Sequence, residues 1–317
     1  MNQRAAHLAV IIVALILGPQ FCNAYETDQL TNRLTPISDS LVPMDKKVNE
    51  SIEKAISRWR GDRNNRMVVN KIYHDIGGVH WVDQIERWAM NSDEIERIPA
   101  DPHKSIYSGH PLWVARVAAL FGVGPTIMID GQLIGSDKLG HFLSQGRKFY
   151  FRYLNYRDET KVAGYSAYTE RALFGQSTTG SYSNADLVAN YEGYRFYRSL
   201  FEDEVIPGKP AILAWQDDHW VIQREFTWAD HVNAYWDEAL NVNDYDDLAY
   251  PAMKERFLTF CPDYFKAPDR YEIRDEETLK SRYRHLQLRD TSDLRLSNLC
   301  LSDESDQPVS GVAALPN

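Results

Sequence analysis

The stretch from residue 184 to 201 leaves this chain the least freedom. Leu187, Val188, Ala189, Tyr191, Tyr194, Phe196, Tyr197, Leu200 and Phe201 cover most of the circumference of a helix, and a helix apolar nearly all round is a buried one. Ser183 and Asp186 form a capping-box-like start to it. One line interrupts the apolar surface: Asp186, Asn190 and Gly193 fall at i, i+4 and i+7, on one face. A buried Asp or Asn without partners is costly, so the fold must bring polar groups to this line. Gly193 lets whatever carries them come close. Capping accounts for Asp186 alone and leaves Asn190 unexplained.

The segment Ser136-Asp137-Lys138-Leu139-Gly140-His141-Phe142 is the best source of those partners. Before it, residues 126–129 and 132–134 flank Asp130-Gly131, a strong two-residue hairpin turn. Ser136 then caps a helix over 137–153. At about 100° per residue, Asp137, His141, Ser144, Gln145 and Lys148 share one side, and Leu139, Phe142, Leu143, Gly146, Phe149, Tyr150 and Tyr153 the other. A solvated face is the plainer explanation of the polar side, and Asp137 also complements the helix dipole. Glu170 supplies a third piece. It lies near the C-terminal end of a helix expected over 159–174, where the dipole disfavours negative charge and burial would raise the carboxyl pKa. A partly protonated carboxyl is what a general acid requires; an exposed Glu beside Arg171 is the competing explanation.

The N-terminus reads as a secretory signal peptide over residues 1–24: Arg4, an apolar run from Leu8 to Leu17, then the exit Cys22-Asn23-Ala24. The run is short for a bilayer span of roughly 20 residues, and no later stretch is long and apolar enough. The expectation is therefore a periplasmic or secreted protein with no transmembrane segment after cleavage. Removing 24 of 317 residues leaves 293, and losing Arg4 takes the net charge from −10 to −11. That balance excludes the basic footprint of a nucleic-acid binder. Cys261 and Cys300 remain; in an oxidising compartment they would pair, closing a loop of about 39 residues worth about 4 kcal/mol on chain entropy.

Helices are further expected over 41–60, 65–74, 80–90, 112–121, 227–240 and 252–260, with a short strand over 219–226. The fold class is mainly α, with a minor β-hairpin. The division is a single helical domain over 25–267, then a charged C-terminal extension over 268–317 whose end is disordered.

The ordered set Asp137-Lys138-x-x-His141-Phe142, Glu170, then Ser183-x-x-Asp186-x-x-x-Asn190-x-x-Gly193 resembles the VanZ-like pattern over about residues 126–201. VanZ-like proteins are associated with glycopeptide resistance, and small periplasmic proteins carry a similar signature. VanZ-like proteins are membrane helices, whereas this chain has polar helix faces and a signal peptide. The resemblance implies a similar helical arrangement around Asp137, His141, Glu170, Asp186 and Asn190, and an envelope setting. It implies no particular reaction.

Three functions fit such a set. The first is acid–base hydrolysis of an envelope glycan such as peptidoglycan, without a cofactor. Glu170 would be the acid, Asp137 or Asp186 the base or charge stabiliser, and His141 would orient a carboxylate. Asn190, Lys138, Trp220 and Trp228 would then contact substrate. The Trp residues belong to the aromatic segment 215–236, whose plainer reading is core packing. The second is a divalent-metal hydrolase, with Asp137 and His141 chelating one ion. The third is a non-catalytic periplasmic protein in which the polar groups bind a partner or fix helix packing.

Overall fold

The computed structural model describes residues 26–78, 82–101, 103–108, 110, 122–174 and 180–306. The expected signal peptide, the helix expected over 112–121 and the end of the C-terminal extension lie outside the described residues. About half of the chain is helical, and its strands form only small two-stranded sheets. The fold is mainly α with minor β.

The central helix, Asn184–Ser199, is buried along nearly its whole length. The aromatic rings on its surface lie in the main core. Phe196 stacks on Phe142 with centroids 5.3 Å apart, and Tyr194 stacks on Phe149 at 4.8 Å. Phe142 is also ringed by Trp228, His231 and Trp236. The helix carrying Phe142 runs through Asp137–Gly140, a π turn at His141–Gln145, and Gly146–Tyr156. It crosses the central helix so closely that a Cβ on Gly146 would lie 2.6 Å from the Gly193 Cα, and one on Gly193 would land on the Phe142 carbonyl. The π turn misaligns backbone carbonyls, and Tyr197 of the central helix donates to one of them, Leu143 O, at 3.0 Å.

The hairpin ahead of this helix forms as the sequence predicts. Thr126–Ile129 pairs antiparallel with Gln132–Gly135, and Asp130 and Gly131 both take positive φ. The strand expected over 219–226 is shorter, His219–Ile222, and belongs to a second hairpin with Leu213–Gln216. Its turn residues Asp217 and Asp218 both have positive φ without a glycine, so the usual turn signature is missing. Ser181–Tyr182 pairs with Asp244–Tyr245, and Glu26–Thr27 lies parallel to Val123–Gly124.

Two expectations need correcting. No continuous helix spans 227–240; short 3₁₀ turns form at Trp228–Asp230 and Ala234–Trp236. Thr227, Asn233 and Asp237 each accept a backbone N–H two residues on, a local bond that competes with helix propagation. The charged segment after residue 267 is also no appendage. Leu279, Tyr283 and Leu286 enter the main core, and Leu294, Leu296 and Leu299 fill a second core with Tyr107, Met253 and Phe257. Its charges occupy the outer faces of short helices whose inner faces are apolar. The Cys261–Cys300 disulfide, with Cα atoms 5.5 Å apart, fastens this second core. Among the described residues no helix is long and apolar enough to cross a membrane.

Candidate functional site: a lysine among carboxylates

The polar line of the central helix meets the start of the π-bulged helix. Lys138, only 1 % exposed, points into the gap between them. Its Nζ donates to Asp137 Oδ2 at 2.6 Å and lies 2.6 Å from Asp186 Oδ1 and 2.8 Å from Glu238 Oε1. The Asp186 contact is an ion pair. Burial works against the ammonium, but Asp137, Asp186 and Glu238 outweigh it and hold its pKa well above the ordinary lysine value.

His141 opens the π turn and contacts the same line. Its Nε2 lies 3.2 Å from Asp186 Oδ2, and its Nδ1 3.1 Å from Asn190 Oδ1. Asn190 in turn donates from Nδ2 to Ser166 Oγ at 3.1 Å. The expected meeting of His141 with Asp186 and Asn190 is therefore direct, while Asp137 joins through Lys138. His141, Asp137 and Asp186 keep side-chain exposures of 23, 16 and 12 %, so the cluster has one edge that solvent can reach. Asp137 Oδ1 has no hydrogen-bond partner among the described residues.

Glu170 begins a second π turn, Glu170–Phe174, at the end of the helix Glu159–Thr169. Both π turns thus open on a residue of this site, a placement common at functional positions. Ser183 connects Glu170 to the rest. Its backbone N–H donates to Glu170 Oε1 at 3.1 Å, and its Oγ donates to Glu238 Oε1 at 2.9 Å while accepting from Asp186 N as the helix cap. Glu170 is 5 % exposed. Burial, reinforced by the charge of Asp186, pushes its carboxyl well above the usual range.

More acids surround this centre. Glu26 is pushed up to about 8 by burial and then by Glu238 and Asp186. Glu238 also accepts from Thr27 Oγ1 at 3.2 Å. On the other flank, Ser144 donates to Asp83 Oδ2 at 2.7 Å, and burial takes Asp83 up to about 6. Glu86 is buried against Gly140, where a Cβ would strike its carboxylate. Burial, then Asp83 and Asp137, hold Glu86 well above its ordinary value.

Four substrate-contact assignments are corrected by these surroundings. Three carboxylate oxygens within 2.8 Å leave no face of the buried Lys138 ammonium for a ligand; the lysine organises the acids instead. Asn190 has both amide ends engaged and orients His141. Trp228 is fully buried, donating to Met44 O at 3.2 Å with its ring 4.7 Å from Phe142. Trp220 is 5 % exposed and wedged between Trp59 and Trp215. Neither ring face is free for a sugar.

Sequence reasoning missed Glu238, Glu26, Asp83 and Glu86. Glu238 falls in the stretch expected to be helical, where Asp237-Glu238 resembles a solvated pair. Glu26 sits just past the expected cleavage point. No periodic pattern marks either residue.

Chemically, the arrangement places an ion-paired carboxylate, Asp186, near a carboxyl that burial, and then the charge of Asp186, hold well above the usual range. One ligand atom each from Asp137, His141 and Asp186 also lie within 4.8 Å of one another, close enough for a cation to touch all three. Comparison of the chain with protein-family models, with curated proteins and with solved structures finds no match.

Proposed function

We propose that the chain is an exported hydrolase of the cell envelope, acting by carboxylate acid–base catalysis on a glycan such as peptidoglycan. The observation that supports this reading is the opposed state of two neighbouring carboxyls. Asp186 is ion-paired with Lys138 and contacted by His141, while burial, and then the charge of Asp186, hold Glu170 well above the usual carboxylate range. Groups whose environments push their protonation apart are the equipment of acid–base chemistry at neutral pH. In the reaction Glu170 gives its proton to the leaving glycosidic oxygen as the C–O bond breaks. Asp186, steered by His141 and Lys138, takes the proton of the water that adds to the sugar carbon, or stabilises the positive charge there. Asp137 holds Lys138 in place. The VanZ-like motif order and the N-terminal signal pattern support the periplasmic or secreted setting.

The test is the release of reducing ends from purified peptidoglycan by the mature protein. The expected result is release by the wild type, a fall of roughly 10²- to 10⁴-fold in Glu170→Gln, and no effect of chelator. Full activity in Glu170→Gln would remove the assignment of the acid, and no release by the wild type would favour a non-catalytic binding protein. A second reading rests on the proximity of Asp137, His141 and Asp186 and on the unpartnered Asp137 Oδ1. A divalent cation held there would activate water for the same hydrolysis, and chelator would then abolish it.

A further inference from the structure

A cleft of about 330 Å³ opens beside the helix that leads into the Glu170 turn. Gly164, Ala167 and Tyr168 line one wall at i, i+3 and i+4, a single face of the helix, and Arg171 of the π turn extends it. Tyr182, Gln287 and Arg289 line the other. Tyr182 is buried as the floor, donating to Gln287 O at 3.1 Å, with the Arg289 guanidinium 5.3 Å above its ring.

Two features make this more than a surface dent. Arg289 is tied to the site by its backbone: its N–H donates to Asn184 Oδ1 at 2.8 Å and its carbonyl accepts from Asn184 Nδ2 at 3.0 Å. The guanidinium itself stays 46 % exposed, with Asp244 Oδ2 no nearer than 3.9 Å. Across the cleft Tyr168 is 54 % exposed. One helical turn earlier Tyr165, 39 % exposed, stacks on Tyr156. An exposed aromatic track thus leads into a cleft holding two arginines. The chain as a whole carries a net charge of −10, so bulk charge repels anions and attraction here has to be local.

We infer that this cleft binds a carboxylate-bearing sugar of an acidic glycan. The half-exposed Arg289 guanidinium meets the carboxylate, as guanidinium geometry favours, and Tyr168 lies against the sugar ring. Glu170 falls between Ala167 and Arg171 in the chain, and Ser183, next to the Tyr182 floor, donates to it. A glycan seated here would therefore run toward the acid. The glycan part of this assignment rests on the hydrolase reading; the anion part stands on the cleft.

The test is affinity electrophoresis of the mature protein through gels containing polygalacturonate, neutral dextran or inorganic polyphosphate. Polygalacturonate should retard the wild type and dextran should not. Arg289→Ala should weaken retardation about tenfold and Tyr168→Ala by a smaller factor. Gly164→Leu should abolish it by filling the cleft, since a Cβ at Gly164 meets only Gln287 Nε2 at 3.6 Å. Arg289→Ala removes none of the backbone bonds to Asn184, and circular dichroism confirms that each variant is folded. Equal retardation by dextran, preference for polyphosphate, no retardation, or full retardation of Arg289→Ala would each overturn the inference. The assay does not read hydrolysis. An inert protein that binds polygalacturonate would sink the hydrolase and keep the cleft, and an active one that ignores polygalacturonate would do the reverse.

Discussion

The central helix carries two buried ionic networks on different faces, and they are built on opposite plans. Around Glu192, which is fully buried, the charges close on themselves. Arg195 Nη1 donates to both carboxylate oxygens at 2.9 Å, Tyr283 Oη donates to Oε1 at 2.8 Å, and His231 Nδ1 lies 3.1 Å from Oε2. Burial opposes the charge of Glu192, but Arg195 and His231 outweigh it and hold its carboxyl below the ordinary value. Around Lys138 five carboxyls, those of Asp137, Asp186, Glu238, Glu170 and Glu26, share one ammonium and one imidazole. Glu170 and Glu26 are pushed upward, chiefly by burial, and one edge of the cluster meets solvent. A network that serves only packing satisfies its members, as the first does. The second keeps like charges together against their own repulsion, which functional sites do at the expense of stability.

The largest test of this contrast is to break each network at its centre. Glu192→Gln should lower stability by about 3–5 kcal/mol, as for other disrupted buried pairs. Lys138→Met should cost a similar amount near neutral pH. The two should part on acidification. The Lys138→Met deficit should shrink first, as the stranded carboxylates take up protons, and the Glu192→Gln deficit only at lower pH, where Glu192, held below its ordinary value, finally protonates. Urea denaturation across the pH range measures both, and parallel curves would erase the distinction.

A smaller effect should come from the crossing that brings His141 to Asp186. Gly193→Ala places a methyl against the Phe142 carbonyl, an overpacking cost of about 1–3 kcal/mol. It should also push the π turn off the polar line, so activity should fall further than the lost stability explains. Retained activity in a destabilised Gly193→Ala protein would show that the crossing does not set the site.

A gradual effect is a slope. The folded value for Glu26, about 8, lies above the ordinary 4.5. Between those values the unfolded chain sheds the proton and the folded chain keeps it, so stability falls as pH rises through this window. Glu26→Gln should remove up to about 1.4 kcal/mol per pH unit of that fall. The Glu192 network has the opposite sign. Arg195 and His231 hold Glu192 low despite its burial, and burial holds His231 low, so its stabilisation is present above their ordinary values and lost on acidification. An unchanged slope in Glu26→Gln would place that carboxyl outside the cluster.

Much of this was legible in the chain itself, for physical reasons that differ by element. The central helix declared its burial because its apolar residues leave almost no polar arc. The Asp186, Asn190 and Gly193 line named its own need for partners. The Asp130-Gly131 hairpin followed from turn chemistry. Glu170 followed from a carboxyl placed at a helix end. Lys138 was legible only as a neighbour of Asp137; nothing local says that a lysine will be buried, because two of the three carboxylates that hold it, Asp186 and Glu238, come from other segments. Glu238 arrives on an irregular segment with no period to read. Trp220 and Trp228 show the limit from the other side: an aromatic residue looks the same in sequence whether its face is packed or open.

The central claim is that burial, and then the charge of Asp186, hold the Glu170 carboxyl well above the usual carboxylate range. Infrared difference spectroscopy of the folded protein at pH 7 tests it directly. The account predicts a carbonyl band from protonated carboxyl groups, part of which disappears in Glu170→Gln and none of which disappears in Glu192→Gln. A band absent at pH 7, or one that Glu170→Gln leaves whole, would contradict it.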